Sequence, residues 1–446
     1  MKGSLVAFGV VTLALAAALA TPAARDVSAT SPTVACTAQQ KKARVVALRK
    51  FQRSQRAART KFFEGHKSPA ERARFVRRQQ QKLRALRAAA ACTVVLPPPE
   101  GAPCAPELEG INTPLELEQL TGFFPLHEGT LTPGLTLPSQ GMLRVLVLPV
   151  DFVDAPAHES APVVGAAVTS DLRWFADVSA GRMSVTATLL SRWHRMPHPT
   201  GTYTDNITPE FAARLLRDAT AQADADVDFR SYDFVYVLFP PALRMNFAWL
   251  VRPGRGIVRD GTELRHIAVL SEHNPDVARH ELLHALGLPD LYVRDAASGT
   301  TDHSLVGLWD PMSTSVGSRE PLAWHKWRLR WITSAQIACV DDARTTTAYL
   351  TAVGRRGGIK MIVARTSASF AYVVEARDES GRDFPIFPQG VLVYTVDASV
   401  ASGRGAVRVL RPPLPVGGVF EDATLRVDVR RPLTSRTWHV RVTRKR

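Results

Sequence analysis

No internal repeat runs through this 446-residue chain, which excludes a solenoid or propeller array. Beyond the first twenty residues no stretch is apolar enough to span a bilayer, so membrane-spanning helices are not expected in the body of the protein. Cysteine is scarce, with only four: Cys36, Cys92, Cys104 and Cys339. Four cannot carry the fold of a chain this long, which must rest on hydrophobic cores and should hold two or three structural units. The N-terminus is different. Lys2 precedes an apolar run from Leu5 to Leu19 that ends in Ala18-Leu19-Ala20. That pattern predicts a secretory signal peptide over 1–20, cut after Ala20, and hence a secreted, extracellular protein. In an oxidising compartment an even cysteine count favours two disulfides.

Acidic residues are nearly missing from one segment. The formal net charge of +15 resembles a nucleic-acid signature until it is located. Residues 41–90 hold seventeen Lys or Arg against only Glu64 and Glu71, and 17 − 2 accounts for the whole excess. The other 39 basic residues balance 39 acids. The charge therefore belongs to one segment, and a nucleic-acid partner is not expected outside a cell.

That segment also lacks helix breakers from Thr37 to Phe63, where Ala, Arg, Lys and Gln dominate. Gly65 to Pro69 interrupts it, with Ser68 as N-cap and Pro69 at the first position of a second helix that runs to Ala91. Residues 21–92 thus read as a basic α-helical hairpin whose far ends bring Cys36 to Cys92. It could be a removable prosegment, an arm for anionic cell-wall polymer or membrane lipid, or a solvated surface. Residues 93–115, with Pro97-Pro98-Pro99, read as a semi-rigid linker. Cys104 within it either pairs with Cys339 or supplies a latency thiolate to a metal. An oxidising compartment favours the pair.

From Met142 the texture changes to strands alternating with helices, an α/β (α+β) arrangement over 116–340. Strands are expected over Leu143–Phe152, Met183–Trp193 and Tyr232–Phe239, with a shorter edge strand over Leu264–Leu270. Helices are expected over Val164–Phe175 and Pro209–Ala223. Residues 341–446 read as a β-rich subdomain.

The chemistry concentrates in His280-Glu281-Leu282-Leu283-His284-Ala285-Leu286-Gly287-Leu288-Pro289-Asp290. Positions four apart share one helix face, so both imidazoles can reach one metal. Asn274 is a suitable N-cap, Pro275 a first helical residue, and Gly287 a helix stop. Three residues on, Asp290 is placed to supply an oxygen ligand, with Asp295 and His303 as fallbacks. Two His and a carboxylate complete the three-ligand set of a catalytic zinc site. Glu281 stands beside the first ligand as general base.

The run is similar to the zinc motif of the immune inhibitor A family of secreted bacterial metallopeptidases, relatives of the metzincins. The resemblance extends to Gly307-Leu308-Trp309-Asp310-Pro311-Met312-Ser313, to Leu322-Ala323-Trp324-His325-Lys326-Trp327-Arg328-Leu329-Arg330-Trp331, and more faintly to Val150-Asp151-Phe152, Ser179-Ala180-Gly181 and Tyr372-Val373-Val374-Glu375-Ala376-Arg377. It covers about residues 140–400. It implies a metzincin-like protease domain in which Met312 forms a turn beneath the metal. Leu283 departs from the glycine usual before the second histidine, and the acidic Gly-Asp-Gly loop that suggests calcium is missing before Tyr236. One Zn2+ ion is therefore expected, and a calcium requirement is not.

The function expected is that of a zinc metalloendopeptidase, monomeric, acting on protein or peptide substrates. His303 and His325 are candidates to stabilise the oxyanion. Trp324, Trp327 and Trp331 recur at helical spacing and read as core. The alternative is an inactive protease-like scaffold that holds anionic polymers through the hairpin.

Overall fold

The computed structural model describes residues 107–445 except 111–125, 132–133, 204–208, 244, 296–297, 299, 318, 341–344, 384–387 and 431–436. The expected leader, the basic hairpin, and Cys36, Cys92 and Cys104 lie outside the described residues. Cys339 is disulfide-bonded. The described part is mixed α/β, with several sheets, few helices and mostly strands. No described helix is long and apolar enough to cross a membrane.

A six-stranded sheet forms the first layer. Its strands are β1 (Gly141–Asp151), β2 (Met183–Leu189), β3 (His194–Arg195), β4 (Phe234–Leu238), β5 (Asn246–Leu250) and, after the small ribbon β6 (Ile257–Arg259) with β7 (Thr262–Leu264), β8 (His266–Leu270). The order is β2-β1-β4-β8-β5, with β3 beside the end of β1. All pairs are parallel except β5 with β8. Among the described residues five α-helices accompany it: α1 (Ala161–Thr169), α2 (Arg173–Val178), α3 (Pro209–Gln222), α4 (Pro275–Ala285) and α5 (Ala323–Arg328).

The apolar runs of β1, β4 and β8 are explained by burial on both faces. Val145, Val147, Tyr236 and Ala268 point into a core completed by α1, α2, α4 and α5. The intervening Leu146, Leu148, Val237 and Ile267 point into another, covered by α3. The two-sided burial of β8 corrects one expectation. The Leu264–Leu270 segment is not an edge strand, because β5, built from Asn-Phe-Ala-Trp-Leu, pairs outside it. The helix expected over Val164–Phe175 is two, since the Thr169 and Ser170 hydroxyls bond back to the Gly165 and Ala167 carbonyls and end the first.

After the ribbon of β9 (Val293–Arg294) with β10 (Thr301–Asp302) come nine strands in two packed sheets. One holds β11 (Ile337–Cys339), β13 (Met361–Arg365), β14 (Phe370–Arg377), β15 (Gly390–Asp397) and β16 (Val407–Leu414); the other holds β12 (Thr345–Thr351), β19 (Thr437–Arg444), β18 (Leu425–Arg430) and β17 (Val419–Glu421). Ile362 and Ala364 face the four-stranded partner. Met361 and Val363 face the core that holds α4. The C-terminal β-layer and the helix of the His-Glu-Leu-Leu-His motif thus share one interior. Leu108, in the span expected as linker, is buried in that same core at 1% exposure.

Candidate metal centre

Helix α4 starts and stops by local chemistry. The Asn274 side chain accepts from the Asp276 amide at 2.8 Å, and Pro275 occupies the first turn. At the other end the Gly287 amide donates to His284 O at 2.8 Å and the Leu288 amide to Leu283 O at 3.1 Å. This is a Schellman closure, and it requires a left-handed residue at Gly287, where φ is +104°. A Cβ there would stand 2.6 Å from Leu131 Cδ2. The chain can therefore reverse close against the helix, and Asp290 returns to the face that carries the histidines.

The three donors meet. His280 Nε2 lies 3.1 Å and His284 Nε2 3.2 Å from Asp290 Oδ1. All three donor atoms fall within 4.8 Å of one another, the one such His/Cys/Asp/Glu cluster among the described residues. Each imidazole is locked from behind. His280 Nδ1 donates to Pro311 O at 2.9 Å and His284 Nδ1 to Leu288 O at 2.7 Å. A carbonyl can only accept, so Nδ1 carries the hydrogen and Nε2 is the ring atom turned toward the carboxylate oxygen, where its lone pair could meet a cation. Lone pairs facing one another at this distance repel unless a proton or cation stands between them. Burial works against charge on His284, but the Asp290 carboxylate beside it prevails and carries the imidazole up to about 9. Burial likewise opposes ionisation of Asp290, and the two histidines overcome it, holding the carboxyl well below its usual range.

Glu281 lies beside them, 6% exposed. Burial pushes its carboxyl up, against the pull of His284 and His280. Tyr292 stacks parallel to His280, with ring centroids 6.4 Å apart, and meets His303 edge-on at 5.4 Å. Burial first, then the Asp290 charge, holds the Tyr292 phenol far above its usual range.

The turn of Met312 adjoins this assembly through Pro311 O on His280. Its side chain is wholly buried in the core shared with α4. Its amide donates to Asp310 Oδ1 at 2.8 Å, and its carbonyl accepts from Leu291 at 2.9 Å. With Pro311 O on His280, the turn braces both a histidine and the segment that follows Asp290.

Other expected residues fall elsewhere. His325 is fully enclosed between Glu128 and Asp310, which removes it as a candidate for contact with substrate. His303 is fixed by Ser313 O and, at 3.1 Å, by the Thr301 hydroxyl, outside the three-donor cluster. Asp295 accepts from Ser298 in the β9–β10 connection and is not part of the cluster. Trp324 and Trp331 are buried as expected, bonding Glu128 and Ser139 O through their indole nitrogens, and Trp327 is partly buried.

Two contributors escaped sequence reasoning. Ser402 holds Asp290 from 112 residues away, with no local pattern to mark it. Arg328 is readable only as one of many arginines. Its guanidinium bonds Glu128 and the carbonyls of His127, Gly129 and Gly287, tying α5 to the end of α4. No protein-family model matches the chain, and no curated protein matches it.

Proposed function

We propose that the chain is a secreted zinc-dependent endopeptidase of metzincin-like build. The observation that carries this reading is the convergence of His280 Nε2, His284 Nε2 and Asp290 Oδ1 beside a buried Glu281. Two edges of the donor set suit zinc: bonds of ~2.0–2.2 Å in a tetrahedron place neighbouring donors about 3.3 Å apart. The nitrogen-to-oxygen separations of 3.1 and 3.2 Å match that edge. A dication would take the place between the back-bonded imidazoles and the carboxylate that a proton can otherwise fill.

Zinc held there would supply a water with pKa near ~7 and polarise the scissile carbonyl. The remaining work belongs to the chain. His280, His284 and Asp290 hold position through their carbonyl and hydroxyl partners. The Glu281 carboxylate takes the proton of the attacking water and returns it to the leaving amine. Its enclosed setting strengthens its interaction with charge that develops nearby.

The test is casein hydrolysis by the purified secreted protein, with and without a zinc chelator. Hydrolysis that stops on chelation and returns with zinc is the expected result. Hydrolysis indifferent to the chelator, or none in a zinc-loaded protein, would overturn the reading.

A further inference from the structure

Asp290 is held from a part of the chain that belongs to the C-terminal β-layer. The connection between β15 and β16 carries Ser402, whose hydroxyl accepts from the Asp290 amide at 2.9 Å and donates to Asp290 Oδ2 at 3.2 Å. The Gly403 amide donates to the Asp290 carbonyl at 3.1 Å, and its own carbonyl accepts from Arg294 at 3.0 Å. Both edges of the residue are therefore gripped, while Oδ1 remains turned to the two imidazoles. The grip is itself anchored. The Ser402 amide donates to Leu126 O at 3.2 Å, and Ala401 and Arg404 form bridges to His127 and Val293. Gly403 has φ +70°, a conformation that glycine takes without steric cost, and this turn presents the hydroxyl.

A carboxylate on a two-bond side chain can rotate away from a shared metal. A hydroxyl bonded to its second oxygen selects the rotamer that points the first inward, and such outer partners set metal affinity. We propose that Ser402 is a positioning residue for Asp290, so that the C-terminal β-layer completes the metal centre. This rests on the reading of His280, His284 and Asp290 as a metal site.

The experiment uses the full secreted protein, stripped of metal and titrated with zinc against a chromophoric chelator. Ser402→Ala should bind zinc ~10–100-fold more weakly than the wild type. Ser402→Thr, which keeps the hydroxyl, should restore most of the affinity. Cobalt-loaded Ser402→Ala should show an altered visible spectrum, which a purely scaffolding serine would not produce. Wild-type zinc affinity in Ser402→Ala, or equal loss in the Ala and Thr variants, would overturn the assignment. A wild-type protein that binds zinc no better than His280→Ala would instead overturn the metal-site reading beneath it.

Discussion

The His325 imidazole lies 2.8 Å from the Glu128 carboxylate, and neither side chain reaches solvent. On its other side Asp310 stands 2.8 Å away as an ion contact rather than an aligned hydrogen bond. Asp310 also accepts from Met312 and Leu322, so this buried charge cluster joins the Met312 turn to α5. Burial alone would raise Glu128, but His325 and Arg328 hold it down at about 2; burial alone would lower His325, but Asp310 and Glu128 carry it up to about 10.

The signs set a pH window. The Glu128 contribution is complete above its ordinary value of 4.5 and is lost as pH falls toward about 2. The His325 contribution is complete below 6.5 and is lost as pH rises toward about 10. Denaturation midpoints should therefore decline on the alkaline side between those two values. His325→Gln should be less stable near neutrality and should flatten that decline. An unchanged alkaline slope in this variant would show that His325 is not the group responsible.

Glu281→Gln should bind zinc like the wild type yet hydrolyse peptide at least ~100-fold more slowly, the low end of general-base contributions. Metal content by mass spectrometry and turnover on one peptide substrate decide it. Wild-type turnover in this variant would remove Glu281 from the mechanism.

Asp290→Ala should lose zinc, because two histidines alone leave a catalytic site one protein ligand short. Substituting Asp295 or removing the His303 imidazole should leave zinc affinity close to wild type, since both stand outside the cluster. Full zinc retention in Asp290→Ala would reassign the third ligand.

Gly287→Ala combines a backbone at φ +104° with a Cβ 2.6 Å from Leu131 Cδ2 and 2.9 Å from Thr136 Cγ2. It should cost about 1–3 kcal/mol, the scale of a strained left-handed residue. Zinc affinity should fall with it, because the turn delivers Asp290. Denaturant midpoints compared with the wild type give the answer; a shift within experimental error would mean that the turn relaxes freely.

A chain that begins at Glu107 keeps Leu108, whose carbonyl accepts from the Thr130 amide at 3.2 Å. It should fold, whereas Leu108→Ala should cost about 2–5 kcal/mol as a core truncation. Removal of residues 21–106 is expected to raise turnover if the basic segment is a prosegment. Equal turnover with lost retention on an anionic column at low salt would identify an anchor instead.

The limits of α4, the spacing of its two histidines and the reversal at Gly287 were legible in the chain itself. N-caps, breakers and the i, i+4 repeat act within a few residues, so composition and order suffice to state them. The strands β1 and β4 were legible for the same reason, as largely apolar runs. The position of β8 was not: its five residues suit an edge or an interior, and only pairing with β5 decides. His325 looked available for catalysis because sequence gives residue type but not enclosure. Glu128, 197 residues away, makes it structural. Ser402 carried no signal, because its meaning lies in a hydrogen bond to Asp290 that exists only once the β-layer has packed against the motif helix. Local propensity determined the helix that carries the two histidines, and long-range packing decided what holds them and Asp290 in place.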